Sequence, residues 1–276
     1  AMQQMLEKAG TTQQRNDIRR NQLHGIEMNE GMFSNATTNM ILRGDGKSNL
    51  VCNDFFLFKT EDLRQKHFTV GMMNPPYSLA KSKDTAHLSE LHFISHLLDS
   101  LDDDARCAVI VPQSTMVGKT KEDKREKEYI LLHHTLEGVI TLNPQTFFGV
   151  GVNPVIAVFR AHQPHPENYY AKFVNFKDDG YEVAPHIGLL PTARATERKQ
   201  LLLDCWLRNR PAHTDFMVRS TVLPDDEWLH SFYYFNDTIP TDADFEKTMA
   251  DYLTFEFNMI THGRGYLFHP TTTTAQ

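Results

Sequence analysis

Short, nearly all-apolar runs separated by helical stretches fill the first 160 residues, and this order constrains the fold more than any other feature of the chain. The runs "QLHGIEM" (22–28), "SNLVCNDFF" (48–56), "FTVGMMN" (68–74), "ARCAVIVP" (105–112), "LEGVITL" (136–142) and "NPVIAVFR" (153–160) read as strands. Between them, "NEGMFSNATTNMILRG" closes as a helix on Gly44, "HLSELHFISHLLDSL" sets Leu88, Leu91, Ile94, Leu97, Leu98 and Leu101 on one helical face, and "EKEYILLHH" is a further helical run. Buried strands alternating with helices imply an α/β fold with a parallel sheet covered on its faces. The last two strands have no helix between them, which predicts an antiparallel finish to the sheet.

A chain of 276 residues with 40% hydrophobic content can close a core, and its length suits one large domain or a domain with an appendage. No run of about 18 apolar residues could span a bilayer, and the N-terminus lacks the basic-then-apolar order of a signal peptide. A cytoplasmic protein without membrane contact is the expectation. Cys52, Cys107 and Cys205 have no metal-ligand spacing and read as reduced thiols, with Cys52 and Cys107 inside strand-like runs and expected to pack. A net charge of -7 without a long basic block argues against DNA binding driven by bulk electrostatics. Of the 14 histidines, His92 and His96 stand four apart on a helix, but no HExxH or comparable metal motif occurs.

In open α/β sheets ligands lie beyond the carboxyl ends of the strands. Glu27, Asp54 and Asn74 stand at three such ends. A carboxylate at Glu27 suits the two hydroxyls of a ribose, with Met28 beside it against an adenine face. Asp54 can accept from an adenine amino group while the Phe55 amide donates to a ring nitrogen. Singly, each carboxylate reads equally well as a helix or turn cap.

The third strand runs into Asn74-Pro75-Pro76-Tyr77. Two prolines remove two backbone donors and fix φ, so the segment presents carbonyl oxygens from a stiff turn. The Asn74 side-chain oxygen and the Pro75 carbonyl can both accept from one exocyclic amino group, turning the nitrogen lone pair out of the ring plane, and Tyr77 supplies a ring to stack on the base. Reaching such a base inside a duplex requires flipping it out. Outside this context the same dipeptides mark an ordinary turn.

These residues resemble a family. "NPPY" after a strand is similar to the catalytic motif of amino-group DNA methyltransferases. "ATTNMILRGDGKSNL", "NDFF" and "NPPYS", in that order, resemble the modification subunit of type I restriction-modification systems. The resemblance implies a Rossmann-like S-adenosylmethionine-dependent methyltransferase sheet over residues 1–160 and an α+β extension over 161–276. It implies that Glu27 and Met28 hold the cofactor ribose and adenine, that Asp54 and Phe55 read the adenine, and that Asn74, Pro75, Pro76 and Tyr77 form the catalytic loop for adenine N6. "NPQTFFGVGVNPVIAVF" resembles the motif whose aromatic residue stacks on the flipped base, with Phe148 chosen over Phe147 by counting back from the following strand. DNA, a specificity subunit and a restriction subunit are the implied partners. The family's glycine-rich cofactor loop is expected just before the helix that opens the chain, "AMQQMLEKAG", which has no N-cap residue; the sequence therefore reads as an enzyme lacking its first strand and N-terminal helical domain. The alternative is a non-catalytic remnant that binds a nucleoside or a partner subunit.

Beyond residue 160, "AHQPHPENYYAKF" marks a boundary by its prolines, and "KFVNFKDDGYEV" reads as two strands across an Asp-Asp-Gly turn. "TARATERKQLLLDCWLRNR" reads as a basic, solvated helix, "DADFEKTMADYLTFEFNMI" as a helix capped by Asp242 or Asp244, and "HPTTTTAQ" as a disordered polar tail.

Overall fold

The computed structural model describes residues 2–44, 49–80, 85, 88–184, 187–236, 239–265 and 268; the expected polar tail at 269–276 lies outside them. The chain divides into two units, Ala1–Tyr234 and Phe235–Gln276.

The first unit opens with α1 (Met2–Lys8), α2 (Thr12–Asp17) and a π-turn at Ile18–Gln22. Strand β1 (His24–Glu27), helix α3 (Glu30–Leu42) and strand β2 (Asn49–Cys52) follow. β1 and β2 pair in parallel as a sheet of their own, with Glu27 opposite Cys52. After a tight turn at Phe55–Leu57 and α4 (Thr60–Arg64), the main sheet is built from β3 (Val70–Met73), β4 (Arg106–Pro112), β5 (Thr135–Leu142), β6 (Pro154–Arg160), β7 (Ala171–Phe176) and β10 (Met217–Ser220). Its order is β10-β7-β5-β6-β4-β3. The antiparallel strand expected at 153–160 is not at the finish of the sheet: β6 lies between β4 and β5 and is antiparallel to both.

Alternation along the strands gives two covered faces. Cys107, Val109 and Val111 of β4 and Val155, Ala157 and Phe159 of β6 are fully buried against Leu91, Ile94 and Leu98 of α5 (Glu90–Asp99) and Ile130 of α7 (Lys121–His133). On the other face, Ile140, Val174 and Phe176 meet Cys205 of α8 (Ala195–Leu207). The helix expected to be a solvated basic one is therefore the cover of half a sheet, with Leu201, Leu202 and Trp206 packed inward. The sheet also crosses the boundary expected at residue 160, since β7 and β10 belong to it. Cys107 and Cys205 are buried and Cys52 is exposed, so the packing role expected of Cys52 falls to Cys205.

The two strands expected across Asp178-Asp179-Gly180 form but do not pair. β8 (Tyr181–Ala184) joins β9 (Gly188–Pro191) in a separate hairpin. Gly180 has φ +79 and lies so close to the start of α8 that a Cβ would meet Ala195 backbone atoms at 2.6 Å; the Thr192 N–H also donates to the Gly180 carbonyl at 2.8 Å. In the second unit, α10 (Asp242–Thr261) starts from a capping box: Thr241 is the N-cap and Asp244 its reciprocal partner. This corrects the expected cap at Asp242 or Asp244.

The short helix α6 (Gln113–Val117) follows β4 directly and is pinned by a buried ammonium. Lys127 Nζ donates to the carbonyls of Met116 at 2.7 Å, Val117 at 2.9 Å and Asp226 at 2.8 Å. It also stands 4.8 Å from the Trp228 ring. Burial pushes its pKa down to about 8. Lys127→Met keeps most of the volume but strands three buried carbonyls. It is expected to cost about 2–3 kcal/mol in urea unfolding, and an unchanged midpoint would show that water replaces the ammonium.

Burial also pushes the His165 imidazole down to about 4, and its Nδ1 is buried without a partner among the described residues. The folded value lies below the unfolded one of about 6.5, so the unfolded chain takes up the extra proton, and stability falls as pH drops from about 6.5 toward 4. His92, held up first by its hydrogen bond to Glu126, contributes in the opposite sense. Between about pH 7 and pH 5 the His165 contribution is expected to be no more than about 2 kcal/mol. Thermal melts of the protein and of His165→Gln isolate it as the difference between their pH slopes, and parallel slopes would contradict it.

Candidate catalytic turn and nucleoside site

Because β6 is antiparallel to both β4 and β5, and β3 is parallel to β4, the strands β3, β4 and β5 all point the same way. The segment after β3, the start of α6 and the 143–153 loop thus emerge at one edge, where the Gln113 N–H donates to the Asn153 carbonyl at 2.8 Å. Pro75 is buried under the turn while Asn74 and Pro76 are exposed. The Tyr77 hydroxyl donates to Asn74 Oδ1 at 2.7 Å and approaches the Ile110 carbonyl at 3.4 Å. Burial, and next the charge of Glu90, push the Tyr77 phenol above its ordinary range, which keeps the hydroxyl a donor. Ser78 adopts a left-handed φ of +59, and its N–H donates to Glu90 Oε1 at 2.7 Å.

From the loop between β5 and β6, the ring nearest the turn is that of Phe147, whose centroid is 6.3 Å from that of Tyr77 with a 59° tilt. Phe148 is 49% exposed. The loop is shaped locally: Asn143 Oδ1 accepts the Gln145 N–H at 2.9 Å, Thr146 Oγ1 donates to the Asn143 carbonyl at 2.7 Å, and the Val150 N–H donates to the Phe147 carbonyl at 3.0 Å.

The other group of candidate residues sits at the ends of β1 and β2. Glu27 Oε1 accepts the Asn29 N–H at 2.8 Å, and Asp54 Oδ1 accepts the Phe56 N–H at 3.0 Å. Each carboxylate thus caps its own turn through one oxygen. Met28 is 65% exposed beside Glu27. The segment carrying Phe55 is held from α5: His96 Nε2 lies 3.1 Å from the Phe58 carbonyl, to which it can only donate. The His96 ring meets Phe55 edge-on at 4.7 Å and Phe56 at 5.1 Å. Burial lowers the His96 pKa, which favours the neutral ring, and in that form the bond places the proton on Nε2. His92 instead faces Glu126 at 3.5 Å. Sequence reasoning considered both histidines only as a metal pair and missed their contact with Phe55 and Phe56; aromatic residues on a neighbouring turn were the only signal. No hydrogen bond or ring contact among the described residues joins Glu27, Met28, Asp54 or Phe55 to the Asn74–Tyr77 turn.

The mixed sheet and the acceptor-rich turn at a strand end define a methyltransferase-like α/β protein, and comparison with known proteins makes this specific. The N-6 DNA methylase family model matches residues 3–187, and the chain belongs to that family. It is 50% identical over 268 residues, 97% of its length, to the type II restriction enzyme and methyltransferase RM.BcgI of Heyndrickxia coagulans, of which it spans 42%. Among solved structures, a modification subunit of a putative type I restriction enzyme from Vibrio vulnificus aligns over 88% of this chain and 52% of its own, at 15% identity and a TM-score of 0.65. A type I restriction-modification assembly aligns over 99% of this chain and 59% of its own, at 16% identity and a TM-score of 0.67. At those identities the likeness is one of fold.

If His96 fixes the Phe55–Phe58 turn, His96→Ala should raise amide exchange at Phe58 and its neighbours and cost about 1–2 kcal/mol of stability. Exchange unchanged in mass-spectrometric mapping would show that the turn is held without His96.

Proposed function

We propose that the chain carries the catalytic site of an adenine-N6 DNA methyltransferase of a restriction-modification system, using S-adenosylmethionine. The observation that carries this reading is the end of β3, where the Tyr77 hydroxyl meets Asn74 Oδ1 and the Tyr77 ring lies near that of Phe147. An acceptor pair next to aromatic rings suits a planar base with an amino group, flipped out of its duplex. Tyr77 uses one lone pair of Asn74 Oδ1 and leaves the second for a substrate N–H. With the Pro75 carbonyl taking the other N–H, the amine is oriented and the positive charge that develops on its nitrogen is stabilised, without a covalent intermediate. Tyr77 stacks on one face of the base. We assign the other face to Phe147, nearer to Tyr77 than the Phe148 expected from strand counting.

Glu27 and Asp54 fit a nucleoside: each has one oxygen engaged in its own turn and a second that can accept from a ribose hydroxyl or an adenine amino group, with Met28 and Phe55 alongside. S-adenosylmethionine, when bound there, supplies an electrophilic methyl carbon. The identity with RM.BcgI favours a type II system over the type I system expected from the motifs. DNA is the substrate in both readings, a specificity subunit and a restriction subunit are the partners of the type I reading, and a DNA substrate agrees with a cytoplasmic protein. Among the described residues no helix is long and apolar enough to cross a membrane.

Transfer of tritiated methyl from S-adenosylmethionine to DNA adenine tests the reading. Asn74→Ala is expected to lower transfer at least about 100-fold while calorimetric affinity for the cofactor stays within about twofold. A parallel loss of cofactor affinity would make Asn74 a structural residue, and methyl found on cytosine would exclude the adenine assignment.

A further inference from the structure

The Asn74–Ser78 turn has little backbone hydrogen bonding of its own. Pro75 and Pro76 have no N–H, and no backbone acceptor is recorded for the Tyr77 or Ser78 N–H among the described residues. Ser78 nevertheless holds φ +59, a region that disfavours residues with a Cβ and that a free turn would leave. Its N–H is taken by a side chain from another element, Glu90 Oε1, at 2.7 Å. Glu90 is the first residue of α5, and an acidic residue there ordinarily faces the N–H groups of its own helix. That need is met here by Ser89, whose hydroxyl accepts the His92 N–H at 3.2 Å, so the Glu90 carboxylate is released to reach the turn. Helix α5 is fixed in the core along its length through Leu91, Ile94 and Leu98. The bond to Ser78 therefore ties the turn to a helix packed in the core of the first unit.

We propose that Glu90 is a positioning residue: by accepting the Ser78 N–H it fixes the turn in which the Tyr77 hydroxyl meets Asn74 Oδ1, and so aims the Asn74 acceptor at the base. The proposal rests on the methyltransferase reading. What it requires of residue 90 is an acceptor of the right reach; a negative charge alone is not enough. Glu90→Gln keeps an oxygen at the same distance, Glu90→Asp keeps the charge but is one methylene short, and Glu90→Ala has neither. The same carboxylate helps to keep Tyr77 protonated, a secondary effect that Gln would lose without releasing the turn.

Two measurements on the chain decide it. Amide exchange at Ser78, read by NMR on 15N-serine-labelled protein, reports the tether without DNA. Fluorescence anisotropy with two duplexes, one with an adenine opposite an abasic site and one fully paired, reports the preference for an accessible base. Exchange at Ser78 is expected to rise at least about tenfold in Glu90→Ala and Glu90→Asp and to stay near wild type in Glu90→Gln, and the preference for the unpaired adenine is expected to fall in the same two variants and persist in the third. Should Glu90→Ala not fold, the Asp and Gln variants carry the comparison. Ser78 exchange unchanged without the acceptor overturns the proposal. So does faster exchange with the base preference intact, which would leave Glu90 a purely structural tether. If the wild-type chain shows no preference for the unpaired adenine, the methyltransferase reading fails and the positioning role with it; if wild type shows the preference and all variants keep it, only the role of Glu90 fails.

Discussion

Strand β6 is the element on which the rest of the first unit depends. It runs against β4 from Arg106↔Arg160 to Pro112↔Pro154 and against β5 from Thr135↔Arg160 to Thr141↔Val155, with a register shift between Leu136 and Gly138, so both of its edges are consumed by backbone hydrogen bonds, and Val155, Ala157 and Phe159 on one face are fully buried. With a reversed strand between them, β4 and β5 point the same way without being neighbours, and the chain crosses from one to the other through α6 and α7. Strand β6 starts at the edge where β3 ends, with Pro154 opposite Pro112, and carries the chain away from it. Gly138 makes the β5 side of this arrangement possible, since a Cβ there would meet the Lys172 carbonyl at 2.0 Å as β7 closes from the other side. The Asn74–Tyr77 turn stands against this wedge: Tyr77 reaches toward the Ile110 carbonyl on β4, and the Phe147 loop is the connection that leads into β6.

Chemistry in the candidate site is divided along the same lines. The base side is built on the wedge and on α5. The nucleoside side is built on a pair of short parallel strands with a register of their own. The helix between these two sides in the sequence, α4, lies against α5, and the turn before it is held where His96 binds the Phe58 carbonyl. Helix α5 thus serves both sides, with Glu90 at its start and His96 in its last turn.

Much of this was legible in the sequence. The strands ending at Glu27 and Asn74, the α5 face of Leu91, Ile94 and Leu98, and the pairing of a reversed strand at 154–160 follow from periodicity and from where helices are missing. The stiff acceptor turn follows from two adjacent prolines. What failed did so for physical reasons. Strand counting does not carry through the 143–153 loop, because the turn at Phe147–Val150 breaks the period of two before it reaches the aromatic pair; the ring recorded near Tyr77 is Phe147, and the choice between it and Phe148 stays a proposal. The charge on α8 concealed a packing stripe, since Arg194 and Arg198 are drawn to Asp178 while Trp206 and Cys205 turn inward. The tether from Glu90 to Ser78 spans twelve residues and two elements, and no local pattern announces it.

The distribution of buried residues has a consequence for binding. Up to Lys59, the residues that are buried among those described are Ala9 and Ile18, joined by half-buried Met5, Leu6, Leu23 and Met40. The core proper begins with α5. A segment held by so little apolar contact opens locally at a small fraction of the global unfolding free energy, and Glu27 and Asp54 both lie on it. Any ligand that bridges them must wait for, or select, the ordered population, so its apparent affinity is divided by the fraction of time both turns are closed. Evolution or design could therefore raise nucleoside affinity in this chain without touching a contacting residue, by filling the space around Ile18 and Met40.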